Sequence, residues 1–301
     1  MATATAALAS ARRSALTVHR TIPSIRAVRN ALPPSLSVGY VPTMGALHDG
    51  HLSLVKEARS KNDVVVASIF VNPTQFRAGE DLDKYPRQFE QDADLLADLG
   101  VDHLFAPDND TMYGRNHVTF VDPTSFDKTS EGSSRPGHFR GVATVVTKLF
   151  NIVKPTNAYF GQKDAAQCVL IRRIVEDLNM DVSVNVQNTV REDNGLAMSS
   201  RNAYLSREER KAAPIVFKSL CAAKDLFLEA AATGTLPVPA KALSTAVREV
   251  LGTEPLVSEI QYVSVDDRET MQPLTEVVSK GAIISLACQV GSVRLIDNII
   301  I

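Results

Sequence analysis

Apolar residues recur along the first two thirds of the chain in short runs that alternate with segments of helical period. Five runs are rich in β-branched or aromatic residues and bounded by turn residues, as is typical of buried strands: 37–42, 63–71, 103–107, 157–161 and 182–190. Four segments between them have the apolar spacing of helices: 50–61, 87–99, 141–153 and 164–179. Strands that alternate with helices predict a parallel sheet covered on both faces, an α/β Rossmann-like architecture with right-handed crossovers.

The pattern changes after about residue 205. Ser206 and Glu209 form an S-x-x-E capping box at the start of a long helix, which we expect to bend at Pro214 and to end near Gly234. A further helix is predicted over 240–251. The segments SEIQYVSVDD, GAIISLACQV and SVRLIDN then predict an antiparallel sheet with helices on one side.

These patterns divide the chain into a leader of residues 1–19, a Rossmann-like nucleotidyltransferase-type domain of residues 20–189, and a smaller α+β cap domain of residues 190–301. The leader is rich in Ala, Ser, Thr and Arg, and no Asp or Glu precedes Asp49. Such a composition is typical both of a mitochondrial presequence and of a short disordered leader. The predicted location is therefore the cytoplasm or, if the leader is an import signal, the mitochondrial matrix.

Composition excludes several classes of protein. With 301 residues and 45% hydrophobic content, the chain can bury a substantial core, so a disordered protein is excluded. The formal net charge of −2 gives no basic surface for nucleic acid. No apolar run approaches the roughly 20 residues that a membrane span requires. We therefore predict small-molecule ligands, with no nucleic-acid partner and no membrane insertion.

The turn between the first predicted strand and helix has the sequence VPTMGALHDGHLSLV. In open α/β sheets ligands bind beyond the carboxyl ends of the strands, where this turn lies. Gly45 and Gly50 allow the backbone to approach a ligand closely, and the N-terminus of the following helix attracts anions. His48 and His51 have three alternative roles here: a metal pair, phosphate donors or helix caps. No further ligand is spaced to complete a zinc site, so phosphate is favoured over metal.

Two further motifs carry groups suited to a nucleotide. In GQKDAAQ, Lys163 follows a strand end and can reach a phosphate, while Asp164 can cap the next helix or hold a ribose hydroxyl. In GLAMSSRN, Ser199, Ser200 and Arg201 form a loop that can close on a triphosphate. Each motif alone is equally typical of an ordinary surface loop.

Together, the H-x-G-H turn and the M-S-S-R loop resemble the signature pair of class I adenylyl-transferring enzymes. Within that superfamily the segments VPTMGALHDGH, SIFVNPTQF, GHFRGVATVV, FGQKDAAQ and REDNGLAMSSRNAYL closely resemble the pantoate–β-alanine ligase family. The resemblance extends from about residue 36 to the closing VRLIDN. One departure is Asp49, since glutamate is usual between the two histidines, and this exchange is conservative.

The resemblance implies a two-step ligation. The carboxylate of pantoate attacks the α-phosphorus of ATP to give pantoyl adenylate and pyrophosphate, and the amine of β-alanine then displaces AMP to give pantothenate. An anionic nucleophile must approach an anionic phosphate, so the protein contributes mainly charge neutralisation and alignment. The resemblance also implies Mg²⁺ bound with ATP and a homodimer.

The resemblance assigns residues to each task. It implies that His48, His51, Lys163 and Arg201 are catalytic, that Gln75 and Gln167 bind pantoate and β-alanine, and that Asp92 is a magnesium ligand. The implied ATP site comprises Met44, Gly45, Ala46, Leu47, His48, Asp49, Gly50, His51, Gly161, Gln162, Lys163, Asp164, Val190, Met198, Ser199, Ser200 and Arg201.

Two alternatives make different demands on the sequence. Another H-x-G-H nucleotidyltransferase, acting on a phosphorylated acceptor, would need basic residues where Gln75 and Gln167 stand. A non-catalytic, RNA-binding relative of the tRNA synthetases would need a basic surface, and the balanced charge argues against it.

Overall fold

The computed structural model describes residues 16–77 and 79–301. The strands up to residue 187 are β1 Thr17–His19, β2 Val38–Thr43, β3 Val64–Ile69, β4 His103–Phe105, β5 Asn157–Gly161 and β6 Ser183–Gln187. The helices of the same region are α1 Ile22–Ala31, α2 Asp49–Lys61, α3 Phe89–Asp98, α4 Asn109–Met112, α5 Ser130–Ser134, α6 His138–Val153 and α7 Ala165–Asp177. After residue 187 follow α8 Arg207–Ala212, α9 Ile215–Thr233, β7 Val238–Pro239, α10 Ala240–Leu251, β8 Val257–Asp266, β9 Glu276–Val277, β10 Ile283–Val290 and β11 Val293–Ile300.

The first six strands form one parallel sheet in the order β1-β4-β3-β2-β5-β6. Strands β2 and β3 are almost entirely buried, because helices cover both faces of the sheet. The chain runs outwards from β2 through β3 to β4 and then returns to the other side of β2 as β5. This reversal creates a crevice at the carboxyl ends of β2 and β5, where α/β proteins bind ligands. The predicted α/β class is confirmed.

Four labelled elements of this sheet domain were not predicted: β1, α1 and the short helices α4 and α5. Strand β1 pairs with β4, with Thr17 opposite His103, so the last residues of the predicted leader 1–19 belong to the sheet. Its three residues are too few to show an alternating pattern. Helix α1 begins after Thr21, whose hydroxyl accepts a hydrogen bond from the backbone N–H of Ser24. The rest of the leader, residues 1–15, lies outside the described residues.

The C-terminal part has the predicted antiparallel sheet, in the order β11-β10-β8. The capping box is also present: the Ser206 hydroxyl accepts from the N–H of Glu209 at 3.2 Å, and the Glu209 carboxylate accepts from the N–H of Ser206 at 2.7 Å. The long helix that we expected to bend at Pro214 is instead interrupted there, giving α8 and α9, since proline lacks the N–H that would continue the helix. Helix α9 ends at Gly234, whose φ of +72° suits a residue without Cβ.

Separate hydrophobic cores lie on the two faces of the parallel sheet, and another fills the C-terminal part. Met271 and Ile283 of the C-terminal part pack into the sheet-domain core that contains α6. The C-terminal sheet is therefore packed against the sheet domain on the side of β5 and α6. Among the described helices, none is both long and apolar enough to span a bilayer.

Candidate active site

The H-x-G-H turn leaves β2 at Thr43 and enters α2 through two residues of positive φ, Gly45 at +84° and Ala46 at +52°. His48 is the N-cap of α2, and its Nδ1 accepts a hydrogen bond from the N–H of Gly50 at 3.1 Å. A neutral imidazole that accepts at Nδ1 carries its proton on Nε2. His48 thus caps the helix through one nitrogen and can donate to a ligand through the other.

His51 lies beside His48, with 4.1 Å between the two ring centroids. Its Nδ1 is buried and has no hydrogen-bond partner among the described residues. Burial, together with the neighbouring Lys163, lowers the pKa of His48 to about 4. Burial and the adjacent His48 lower the pKa of His51 to about 3. Both rings are therefore neutral near pH 7, so they act as hydrogen-bonding groups and not as fixed positive charges.

Asp92 of α3 holds the H-x-G-H turn. Its carboxylate is 1% exposed and accepts hydrogen bonds from the N–H groups of Ala46 at 2.8 Å and Leu47 at 2.9 Å. Gln88 donates a third bond to the same carboxylate at 3.2 Å. Both carboxylate oxygens of Asp92 therefore accept hydrogen bonds from the turn or from Gln88, and its role as a magnesium ligand stays a prediction. No group of three or more potential metal ligands occurs within residues 16–77 and 79–301.

Lys163 and Asp164 follow β5 at the same edge of the sheet. Lys163 has no carboxylate within 4.0 Å among the residues that the structure describes. Asp164 does not cap α7 with its side chain, contrary to one of the roles considered for it. Burial raises the pKa of Asp164, but Lys163 and Arg201 outweigh burial and hold it below its ordinary value, so Asp164 is an anion.

The M-S-S-R loop contacts the H-x-G-H turn directly. Ser200 donates its hydroxyl hydrogen to the backbone carbonyl of Ala46 at 3.0 Å. The Ser199 hydroxyl accepts from the N–H of Arg201 at 3.3 Å and caps a short 3₁₀ helix, Ser200–Tyr204. Arg201 forms a two-pronged ion pair with Asp81, at 2.9 and 3.0 Å.

A cavity of about 250 Å³ joins the three motifs. The residues implied by the resemblance that line it are Met44, His48, Gly50, His51, Gln75, Gly161, Lys163, Asp164, Gln167, Val190, Met198, Ser199, Ser200 and Arg201. The implied ATP-site residues that do not line it are Gly45, Ala46, Leu47, Asp49 and Gln162. Of these, the first three lie in the turn held by Asp92, Asp49 is exposed, and Gln162 donates to Asn298 at 3.1 Å.

Gln75 lies at the end of a short 3₁₀ helix, Pro73–Gln75, that packs on α6. Its side-chain oxygen accepts from Asn72 at 3.0 Å, and its backbone oxygen accepts from Arg135 at 3.2 Å and lies 2.9 Å from His138 Nδ1. No role was predicted for Asn72, Arg135 or His138. The available signal was their position inside or next to the motifs SIFVNPTQF and GHFRGVATVV.

Beyond the two glutamines the cavity wall becomes apolar. Side chains from α6 and β5 form this wall: Phe139, Val142, Val145, Val146, Leu149 and Phe160. The cavity therefore combines anion-binding groups with an apolar wall that suits branched alkyl groups.

A Rossmann-like sheet with an H-x-G-H turn and an M-S-S-R loop in one cavity at its switch point defines an adenylyl-transferring enzyme. The profile of the pantoate-beta-alanine ligase family matches residues 17–300. A pantothenate synthetase of Fervidobacterium nodosum is 51% identical over 276 residues, covering 92% of this chain and 95% of that protein. The chain belongs to the pantoate–β-alanine ligase family, and it is a carbon–nitrogen ligase that uses ATP.

Solved structures agree with this assignment. The crystal structure of pantothenate synthetase from Thermus thermophilus superposes with a TM-score of 0.85 at 44% identity, covering 94% of this chain and 98% of that one. Pantoate-beta-alanine ligase from Francisella tularensis, crystallised with β-γ ATP and β-alanine, gives a TM-score of 0.76 at 37% identity, covering 95% and 98% of the two chains.

Proposed function

We propose that the chain ligates pantoate and β-alanine to pantothenate through a pantoyl adenylate, releasing AMP and pyrophosphate. The observation that carries this proposal is the single cavity that combines nucleotide-binding motifs with two neutral amides and an apolar wall. A carboxylic acid with a branched alkyl body fits the apolar wall. Its carboxylate would then lie beside the polar groups of the three motifs, where a triphosphate would bind.

In the first step a carboxylate oxygen of pantoate bonds to the α-phosphorus of ATP, and the bond from that phosphorus to the β-phosphate oxygen breaks. Pyrophosphate leaves with the bonding electron pair. We assign His48 and His51 as donors to the phosphate oxygens that gain charge in this step. Lys163 and Arg201 neutralise the triphosphate, and the hydroxyl of Ser199 donates to its outer oxygens. Ser200 can do the same only after its hydroxyl leaves the carbonyl of Ala46.

In the second step the free amine of β-alanine bonds to the acyl carbon of the adenylate. The bond between that carbon and the AMP oxygen breaks, AMP leaves with the electron pair, and the amide nitrogen loses a proton to solvent. Gln75 and Gln167 hold pantoate in both steps. Their uncharged amides bind its hydroxyl and carboxylate groups without adding a charge that would hold back the nucleophile.

The other residues implied by the resemblance would contact the ribose, the adenine and the phosphates of ATP. Asp164 and Gly161 would contact the ribose, and Val190 and Met198 the adenine, while Met44 and Gly50 line the approach to the phosphates. Magnesium would enter bound to the phosphate oxygens of ATP, because the described residues supply no cluster of metal ligands.

The assembly, location and domain division of the protein remain proposals. We infer a homodimer from the family resemblance. We place the protein in the cytoplasm, with the mitochondrial matrix as the alternative if the Arg- and Ala-rich leader directs import. We divide the chain near residue 189, because the C-terminal core begins at Leu196.

The adenylate step can be tested without β-alanine. With Mg²⁺ and pantoate, the enzyme should exchange labelled pyrophosphate into ATP, because the first step is reversible and needs no amine. His51→Ala should slow this exchange about a hundredfold or more, as is typical when a donor to developing charge is removed. His117→Ala, outside the cavity, is the matched control. Exchange that requires β-alanine would contradict the stepwise reaction, and normal exchange by His51→Ala would contradict the donor role.

The acid site can be tested separately. Gln75→Ala and Gln167→Ala should each raise the KM for pantoate about tenfold or more and change the KM for ATP much less. Each loses one or two hydrogen bonds, about 1–3 kcal/mol. Equal changes for both substrates would show that pantoate binds elsewhere.

A further inference from the structure

One wall of the cavity comes from the C-terminal sheet and carries polar groups that the proposed reaction does not use. Alternate side chains of β8 share one face, which places Ser264 and Asp266 together. Ser285 of β10 lies directly opposite Ser264 in the antiparallel register. All three line the cavity.

These three groups are buried, and no cation among the described residues pairs with the Asp266 carboxylate. Asp266, Ser264 and Ser285 are 3%, 8% and 7% exposed, respectively. Neither serine Oγ forms a hydrogen bond with a described residue, although Ser264 lies near the carboxylate. Burial raises the pKa of Asp266 to about 6, and the nearby Ser264 offsets only part of that rise. At pH 7.5 the carboxylate is therefore mostly ionised, without a described cation to balance it.

The other carboxylates of the cavity wall are balanced by cations. Glu131 pairs with Arg294 at 2.6 Å, and Asp297 pairs with Arg191 at 2.6 Å. Asp164 lies in the positive field of Lys163 and Arg201, which lowers its pKa. Among the described residues that line this cavity, Asp266 is thus the one carboxylate whose positive partner must come from a ligand.

The chemistry of the wall defines that ligand. A desolvated carboxylate is costly unless it is paired, and two hydroxyls beside it can accept further hydrogen bonds. A primary ammonium group supplies one positive charge and three donors, which matches one carboxylate and two hydroxyls. Met271, which also lines the cavity, gives the neighbouring surface an apolar character that suits a short methylene chain.

We propose that Asp266, Ser264 and Ser285 form the subsite that binds the ammonium group of the amine substrate before it reacts. This subsite deepens the proposed function and rests on it. The subsite forms no covalent bond to the substrate. On leaving it the ammonium gives one proton to water and attacks the acyl carbon as the neutral amine; the second proton leaves from the amide nitrogen.

The first test compares the three substrates in Asp266→Asn. We expect the KM for β-alanine to rise tenfold or more, while the KM values for ATP and pantoate stay within twofold. Pantoate-dependent pyrophosphate exchange should be unchanged, because it needs no amine. Glu259→Gln, which removes an exposed carboxylate from the same strand, should leave all these values unchanged. An unchanged KM for β-alanine, or an equal rise for all three substrates, would overturn the subsite.

Stability provides a second measurement. Asp266→Asn should unfold at a temperature equal to or above that of the wild type, because it removes an uncompensated buried charge. A residue with a merely structural role would give a clear loss of stability. Ser285→Ala removes a hydroxyl that has no partner, so it should fold normally and still raise the KM for β-alanine severalfold. If Asp266→Asn fails to fold, an unchanged KM for β-alanine in Ser285→Ala overturns the proposal.

The two proposals fail in different ways. Without the proposed function, the wild-type protein forms no pantothenate from pantoate, ATP and β-alanine. Without the subsite, the wild type forms pantothenate, and both variants do so with an unaltered KM for β-alanine.

Discussion

At the scale of single residues, the H-x-G-H turn depends on a side chain that never enters the cavity. The carboxylate of Asp92 accepts two successive backbone N–H groups, from Ala46 and Leu47, where the chain has positive φ at Gly45 and Ala46. These bonds fix the direction in which the turn presents His48. Asp92 therefore holds the backbone of the turn in place.

Replacing Asp92 tests this positioning role. Asp92→Asn keeps the size of the side chain but turns one acceptor oxygen into a donor that faces a backbone N–H. We expect ATP to lose about 1.5–3 kcal/mol of binding free energy, which would be seen as a tenfold to hundredfold rise in the KM for ATP. Asp94→Asn, an exposed position on the same helix, is the control. If Asp92 only positions the turn, the Mg²⁺ concentration for half-maximal activity should not change; a large increase would support the predicted metal role.

The two histidines predict an unusual pH profile. Because burial lowers the pKa of His48 to about 4 and that of His51 to about 3, both rings stay neutral as pH falls from 8 to 5. Pantoate-dependent pyrophosphate exchange should therefore show no acid limb near pH 6.5 from these groups, and activity should fall only as pH approaches 4. The measurement is kcat/KM for ATP against pH. An acid limb near 6.5 that disappears in His48→Gln would contradict neutral rings.

The sequence identified the residues of the cavity that belong to compact motifs, including His48, His51, Lys163 and Arg201. It did not show that Asp92 holds the turn or that Asp266 lines the cavity, because the environments of both residues come from distant segments. Asp92 has ordinary helical neighbours in sequence, and only the packing of α3 brings it under the turn. Asp266 looks like a strand-end carboxylate until the register with β10 shows that it faces the cavity.

At the scale of elements, the close contact between α6 and the Pro73–Gln75 helix sets the position of Gln75. A Cβ atom on Gly141 of α6 would lie 2.3 Å from the Thr74 carbonyl oxygen and 2.7 Å from the Gln75 nitrogen. Only glycine allows this approach. The helix therefore acts as a fixed support for the amide that we assign to pantoate.

Gly141→Ala should displace this support. The expected result is a rise in the KM for pantoate of at least tenfold, with a smaller change for ATP, since backbone cannot move aside as a flexible side chain can. Gly114→Ala is the matched control, because its nearest neighbour would lie at 3.7 Å. Steady-state kinetics with each substrate varied, alongside thermal unfolding, separates displacement of Gln75 from general loss of stability. Equal KM values for Gly141→Ala and the wild type would show that the backbone contact adjusts to the added methyl group without displacing Gln75.

Most elements were predicted because their signals are local. The five strands of 37–42, 63–71, 103–107, 157–161 and 182–190 correspond to β2 to β6, since each is a buried apolar run with turn residues at its ends. Strand β1 was missed because three residues carry no period, and α1 was missed because it directly follows a leader whose composition is typical of a presequence. Pairing between β1 and β4 depends on tertiary contacts that no local pattern contains.

At the scale of the whole molecule, the C-terminal strand β11 reaches back to the nucleotide site. The side-chain amide of Asn298 donates to the carbonyls of Gln162 at 2.9 Å and Lys163 at 2.8 Å. The preceding residue, Asp297, forms a buried ion pair with Arg191. The cavity is thus closed by segments far apart in the chain, so its position follows from the fold class but its shape does not.

The leader gives a prediction at the same scale. Removing residues 1–15 should leave kcat, KM and thermal stability unchanged, since this Ala-, Ser-, Thr- and Arg-rich segment precedes the family match of residues 17–300. Removing residues 1–19 should lower stability, because it deletes β1 and exposes the edge of β4.

Fusing residues 1–30 to a fluorescent reporter in the native cell tests import into mitochondria. A loss of activity on removing residues 1–15 would contradict the separation of leader and enzyme.

In the ion pair between Arg201 and Asp81, the Asp81 carboxylate competes with ATP for the guanidinium group. The guanidinium that we assign to the triphosphate already binds a carboxylate through two hydrogen bonds, so ATP must displace one anion to be bound by another. Part of the free energy of binding ATP is then used to break this ion pair. We expect AMP, which has one phosphate, to compete for Arg201 less effectively than ATP. Asp81→Asn should therefore lower the dissociation constant for ATP about threefold to tenfold. The dissociation constant for AMP should fall by a similar factor only if AMP also contacts Arg201. Calorimetric titration of both nucleotides measures the two factors, and weaker ATP binding by the variant would mean that Asp81 orients the arginine for ATP and does not compete with it.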